Sequence, residues 1–308
     1  MAEELLLHPE LPGPIRQALA EERGAFLLGN TAPDVQVVSG QERQATHFFT
    51  LPLDPAVAPP WVRVVEEHPS LVQSDQRNPA RAAFIAGYLC HLQADWTWIN
   101  DIFIPVFGPD NRWASFRQRL YLHNALRAYL DAQIIPDLPA ETAGYLQSAA
   151  PEGWLPFAED RHLVVWRDYL SRQLEPGEAT RTVEVFAARQ GISPAKYYQL
   201  LESEERMDAE IFSRLPRGRL IEYRMQLIEM NLQLLVAYST SSVQDAPLLS
   251  LRQSSVQATS TRVGRTEESK IRRVVSTGST NGEWGSTTGE WGSTTGEWGS
   301  TTGERSSG

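Results

Sequence analysis

Apolar positions in the first 240 residues recur at three- and four-residue spacing, and no stretch alternates apolar with polar as a half-buried strand would. The pattern predicts an all-α, multi-helix bundle. A short first helix is expected over Pro14 to Glu22. Asn78 and Pro79 supply an N-cap and a preorganised first position for a long apolar helix, NPARAAFIAGYLCHLQADWTWINDIF, which should end before Pro105. Asp110 or Asn111 is the expected cap of the next helix, RWASFRQRLYLHNALRAYLDAQII, stopped by Pro136. Later helices are expected near Ala158 to Leu174, Glu178 to Arg189 and Pro194 to Glu205, the last introduced by Ser193 and proline. From Arg219 to Tyr238 the pairs Leu220 and Ile221, Leu227 and Ile228, Leu234 and Leu235 fall on one stripe, which should seal the bundle.

After about Thr240 the composition shifts to Ser, Thr, Gly and Gln, and GEWGSTT repeats three times between Gly282 and Thr302. Two glycines and one large apolar residue per unit defeat both a helix and a coiled coil. The expected organisation is a helical domain over residues 1–240 followed by a disordered low-complexity tail over 241–308. Trp284, Trp291 and Trp298 of the repeats are expected to stay exposed, as a slipped tandem repeat or as a linear motif for a partner.

Charge and cysteine content narrow the chemistry. The formal charge of −10 belongs to residues 1–240, because acidic and basic residues balance in the tail, and it argues against a broad nucleic-acid footprint. An anionic substrate would have to be attracted locally, for instance by a metal. Cys90 is the single cysteine, so neither an intrachain disulfide nor a thiolate cluster forms, and metal ligands must come from His, Asp and Glu. The start, MAEELLLHPELPGP, has an acidic n-region and an apolar run too short for a signal peptide or a membrane span, so the expected compartment is the cytoplasm.

Among the six histidines, His91 has the most telling neighbour. In His91-Leu-Gln-Ala-Asp95 a four-residue step on one helix brings the imidazole and the carboxylate to one face, ~5 to 6 Å apart at the β-carbons. Both suit zinc, and Phe84, Ile85, Tyr88, Leu89 and Leu92 predict that the helix is deeply buried. The same pair would also serve as a hydrogen bond inside the bundle. GAFLLGNTAPDVQ places Asp34 just after a short apolar helical stretch, where it is a turn or cap residue or a ligand. QATHFF places His47 in an expected irregular region before the proline-rich segment Pro52 to Pro60.

The ordered set GNTAPD, THFF and GYLCHLQAD resembles the zinc-dependent phospholipase C family, whose members carry PD, THF and HxxxD blocks in that order. The motif-bearing part runs from about Gly24 to Asp131. The resemblance implies a helical bundle holding up to three zinc ions in a cleft, with water activated for attack on a phosphodiester such as a phospholipid head group. It implies that Asp34, His47, His91 and Asp95 surround one zinc, with Asp34 as catalytic base or bridging ligand. In that family a second zinc uses a histidine six residues beyond the aspartate and a later HxxxE pair. Here Asp101 stands at the first position, and His123 is followed four residues on by Arg127 rather than glutamate. Asp101 lies about 120° around the helix from Asp95 and joins the cleft only if the helix bends or ends there. Arg127 weakens a second zinc electrostatically, though it could hold a phosphate instead. The family's third zinc uses an N-terminal residue and a nearby histidine. Either the natural start lies upstream or that ligand is gone, His8 being the one substitute.

His68 and His162 have no partner at ligand spacing and are assigned to structure or surface, and Trp96 and Trp98 to core packing beside the cleft. Neither a phosphate-cradling glycine loop nor a Gly-x-Ser-x-Gly turn is present. Two functions follow: a zinc-dependent phosphodiester hydrolase acting on a phospholipid or other small phosphodiester, or a non-catalytic zinc-binding or scaffold protein with a degenerate site.

Overall fold

The structure, a computed structural model, describes residues 1–54, 56–72, 78–175 and 181–240. The expected tail and its repeats lie outside the described residues. Within them the chain is all helix: α1 Ala2–Leu7, α2 Gly13–Glu21, α3 Arg23–Gly29, α4 Gln36–Ser39, α5 Arg43–His47, α6 Pro60–Glu67, α7 Pro79–Trp98, α8 Ile104–Phe107, α9 Phe116–Ile134, α10 Thr142–Ser148, α11 Asp160–Gln173, α12 Thr182–Gln190, α13 Pro194–Leu201, α14 Glu204–Met207 and α15 Arg217–Thr240. Among the described residues there is no strand, and no helix is long and apolar enough to cross a membrane.

Helix α7 is the axis of the molecule. Asn78 caps it by accepting from the Arg81 N–H at 2.9 Å, with Pro79 in the first turn as its sequence predicts. Every residue from Ala83 to Cys90 is buried, and the helix packs on α3, α6 and α15. It ends at Trp98, before Pro105 as expected, but the helical path continues beyond it. A π-helical turn over Ile99–Phe103 lets the Ile104 N–H reach back to the Ile99 carbonyl, and the chain passes through the proline into α8. The wider turn accommodates a residue that has no N–H to donate and would clash in a regular α-helix.

Two apolar clusters flank this axis. One gathers Leu5, Phe26, Leu28, Trp61, Phe84, Tyr88, Leu92, Leu163 and Leu234, and the other Ile102, Phe107, Leu122, Leu126, Phe186, Tyr197, Leu200 and Ile211. The rod from α7 into α8 contributes to both. Each cluster places several fully buried large side chains against one another, the burial that holds such a bundle together.

Several boundaries differ from expectation. Helix α9 starts at Phe116, capped by Ser115, whose hydroxyl accepts from the Gln118 N–H at 3.1 Å; Asp110 and Asn111 lie in the preceding turn. The segment from Pro194 breaks after Leu201 and restarts at Glu204 under a second cap, Ser203. The stripe on α15 seals the bundle only in its C-terminal half: Leu227, Ile228, Leu234 and Leu235 are buried, whereas Ile221 is 61% exposed. The fully buried Asn231 shares that sealed half.

Candidate metal centre

The site is built where the end of α3 and the two short segments after it meet the middle of α7. Close helix approach is the first requirement. Gly29 of α3 and Gly87 of α7 supply it: a Cβ on Gly87 would fall 2.3 Å from the Phe26 carbonyl oxygen, and one on Gly29 would fall 2.0 Å from that of Phe84. With backbones this close, the Asn30 carbonyl at the end of α3 meets His91 Nδ1 at 2.7 Å. A carbonyl only accepts, so Nδ1 carries the proton and Nε2 turns its lone pair to the other side.

Asp34 sits on the short 3-10 helix Ala32–Val35. Its N–H donates to the Thr31 carbonyl at 3.0 Å, and the Trp166 indole N–H of α11 donates to the same oxygen at 2.9 Å. His47 is the last residue of α5, a helical turn where an irregular segment was expected, because Phe48 then adopts φ 59° and closes the turn. Left-handed backbone is unfavourable for a phenylalanine. Packing of Phe48 against His68 and Phe157, with donation from Arg63 to its carbonyl at 2.7 Å, holds it there. The Tyr88 hydroxyl of α7 donates to the Thr46 carbonyl, tying the same turn to the axis. His47 Nδ1 lies 3.1 Å from the Thr46 hydroxyl and 3.3 Å from the Arg43 carbonyl, and the tautomer that donates to that carbonyl frees Nε2 as a ligand.

Three of the four expected ligands, Asp34, His47 and His91, converge, and Asp95 borders them on the histidine side. Ligand atoms of Asp34, His47 and His91 all lie within 4.8 Å of one another. Asp95 Oδ2 is 3.4 Å from His47 Nε2 and 3.8 Å from His91 Nε2, and Asp34 Oδ1 is 3.5 Å from His47 Nε2. Both Nε2 atoms are buried and without a hydrogen-bond partner among the described residues. Burying an imidazole lone pair unpaired is costly, so two of them aimed at two carboxylates fit a divalent cation well. The His47 side chain is fully buried and that of His91 nearly so, while the Asp34 and Asp95 side chains are 35% and 31% exposed, so the cluster opens on its carboxylate side.

Both carboxylates are held ionised. Burial opposes ionisation of Asp34, but its interactions with His47, His91 and Arg43 outweigh it and hold the carboxyl well below the ordinary carboxylate range. Asp95 is lowered too: burial and the neighbouring Asp34 oppose this, and His91, Arg43 and His47 overcome them. Burial, then the Arg43 charge, lower His47, so it stays a neutral imidazole. On one side the cluster is walled by Phe49, edge-on to His47 at 6.1 Å and to Trp96 at 6.0 Å.

Asp101 and His123 do not join this group. Asp101 lies in the π-helical turn beyond α7. His123 is buried among Phe103, Phe107 and Trp98, and its Nε2 accepts from the Trp98 indole N–H at 3.0 Å, which uses the lone pair a metal would need. Burial and the Arg127 charge push His123 down to about 3. Arg127 itself is exposed, its guanidinium 5.2 Å over the Phe186 ring. His8 accepts from the Glu10 N–H within its own turn, and His68 packs on Phe157 at 4.8 Å. The residue that sequence reasoning missed is Arg43, ion-paired with Asp95 and stacked 4.8 Å over Phe49. Its position four residues before His47 on the same turn was the available signal.

No protein-family model, curated protein or solved structure matches this chain.

Proposed function

We propose that this chain is a zinc-dependent phosphodiester hydrolase of the phospholipase C type, acting on a phospholipid or other small phosphodiester. The observation that carries the reading is the pair of buried, unpartnered Nε2 atoms of His47 and His91 facing the carboxylates of Asp34 and Asp95. These four residues would hold the ion. When bound, zinc supplies Lewis acidity and lowers the pKa of a coordinated water toward about 7. The Asn30 carbonyl orients His91 through Nδ1, and the Arg43 carbonyl beside His47 Nδ1 supports the same tautomer there, so each ring would present Nε2 to the ion. Asp34, ionised at neutral pH and on the open side, is the family's candidate base or bridging ligand, and its lowered pKa makes it a weaker proton acceptor than an ordinary carboxylate. The Phe49 and Trp96 wall limits water on one side.

The test is zinc content together with hydrolysis of bis(4-nitrophenyl) phosphate and of phosphatidylcholine, with and without added zinc. Zinc-dependent turnover is expected, with kcat reduced roughly 10²- to 10⁴-fold in Asp34→Asn. A zinc-loaded chain inert on both substrates rejects catalysis.

One observation favours a second reading, a non-catalytic zinc-binding or scaffold protein. Asp101 and His123 lie outside the cluster, so a second ion of the kind the family uses lacks its ligands. X-ray absorption of the zinc-loaded chain separates the two readings. Four protein ligands and a closed shell favour the scaffold, and a retained water favours the hydrolase.

A further inference from the structure

Asp95 Oδ2 is the crowded atom of the site. The Nε2 atoms of His47 and His91 face it at 3.4 and 3.8 Å, and the Arg43 guanidinium makes its ion pair with the same oxygen. A guanidinium has only donors and cannot be a metal ligand, so here it neutralises a carboxylate oxygen that a bound cation would otherwise engage. Arg43 begins α5 and His47 ends it, so its backbone is held by the ligand-bearing turn while its side chain, 25% exposed, rests on Phe49. Rotation of the side chain away from Asp95 leaves that turn in place.

We propose that Arg43 is an exchangeable counter-charge: its ion pair with Asp95 competes with a divalent cation for that carboxylate, and when the site residues hold the cation Arg43 turns outward along Phe49 to grip a phosphate oxygen of the substrate. This deepens the metal-dependent reading above and rests on it. Arg43 thereby opposes cation binding and favours anion binding, and by linkage a phosphate anion on Arg43 strengthens retention of the cation. The planar fork of arginine suits two oxygens of one phosphate group, whether from a diester or from free phosphate.

The test uses the full chain and Arg43→Ala, Arg43→Gln and Arg43→Lys. Zinc affinity is measured by competition with a chromogenic chelator. Binding of inorganic phosphate and of dimethyl phosphate to the zinc-loaded proteins is measured by calorimetry. Arg43→Ala and Arg43→Gln should bind zinc more tightly than the parent, by roughly tenfold or more, and phosphate or its diester more weakly by a similar factor. Arg43→Lys should retain part of the anion affinity, since a point charge remains without the fork. The glutamine variant keeps a polar side chain over Phe49 and serves if the alanine variant folds poorly. Zinc binding unchanged or weakened in both neutral variants, or anion binding unchanged for both probes, overturns the role of Arg43 while leaving the metal site intact. A parent chain that binds no zinc rejects the metal reading itself, and this proposal with it.

Discussion

His91 Nδ1 donates to the carbonyl oxygen of Asn30 at 2.7 Å, and that bond joins the middle of α7 to the end of α3 at a crossing made close by Gly29 and Gly87. It fixes the tautomer of the proposed ligand, so crossing distance and metal affinity are coupled.

Gly87→Ala should therefore damage both. The new methyl falls 2.3 Å from a backbone oxygen, which has to move, at a cost of roughly 1 to 3 kcal/mol of stability. Zinc affinity should fall with it. Gly144→Ala on α10 is the control, because a Cβ there meets nothing within 4 Å and should stabilise by roughly 0.5 to 1 kcal/mol. Urea unfolding and chelator competition on the two variants check this; equal effects would mean that the crossing is soft.

Removing ligands should remove the ion. His91→Ala and Asp95→Asn are each expected to abolish retention of zinc through gel filtration and to lower the melting temperature of protein prepared with zinc, since a cation bound only by the folded state stabilises it. Elemental analysis of the purified variants reads the outcome. Parent-level zinc in both variants would move the site elsewhere.

His123 should make the fold acid-sensitive. Its Nε2 accepts from Trp98, and the charged groups that act on it are Arg127, which opposes protonation, and Asp95, which favours it. The folded-state value of about 3 lies below the ordinary 6.5, so between these limits the unfolded chain binds a proton that the native chain excludes. Stability is complete above pH 6.5 and falls as the pH drops, by about 1.4 kcal/mol per unit and thus about 2 kcal/mol at pH 5. His123→Gln keeps an acceptor for Trp98 without the titration. Its unfolding free energy should follow a shallower slope between pH 6.5 and 4.5, and parallel slopes would show that His123 takes up its proton in the folded state.

What the sequence by itself determined are the features that local covalent geometry controls. The all-helical class follows from apolar spacing, the start of α7 from Asn78 and Pro79, and the shared face of His91 and Asp95 from a four-residue step that any α-helix imposes. Asp34 and His47 stood out only as members of an ordered set of motifs, since nothing in a turn aspartate or a lone histidine announces where it points.

Tertiary structure decided the rest. Arg43 looks like one more solvated charge in GQERQATH, and its partner lies 52 residues away. Gly29 and Gly87 read as small penalties within helices until another backbone presses against them. Pro105 reads as a stop until the π-helical turn carries the chain past it, and Ile221 keeps the right period yet faces solvent. Local pattern specifies which face a side chain occupies, whereas what meets that face depends on contacts between distant segments that form only when the bundle closes.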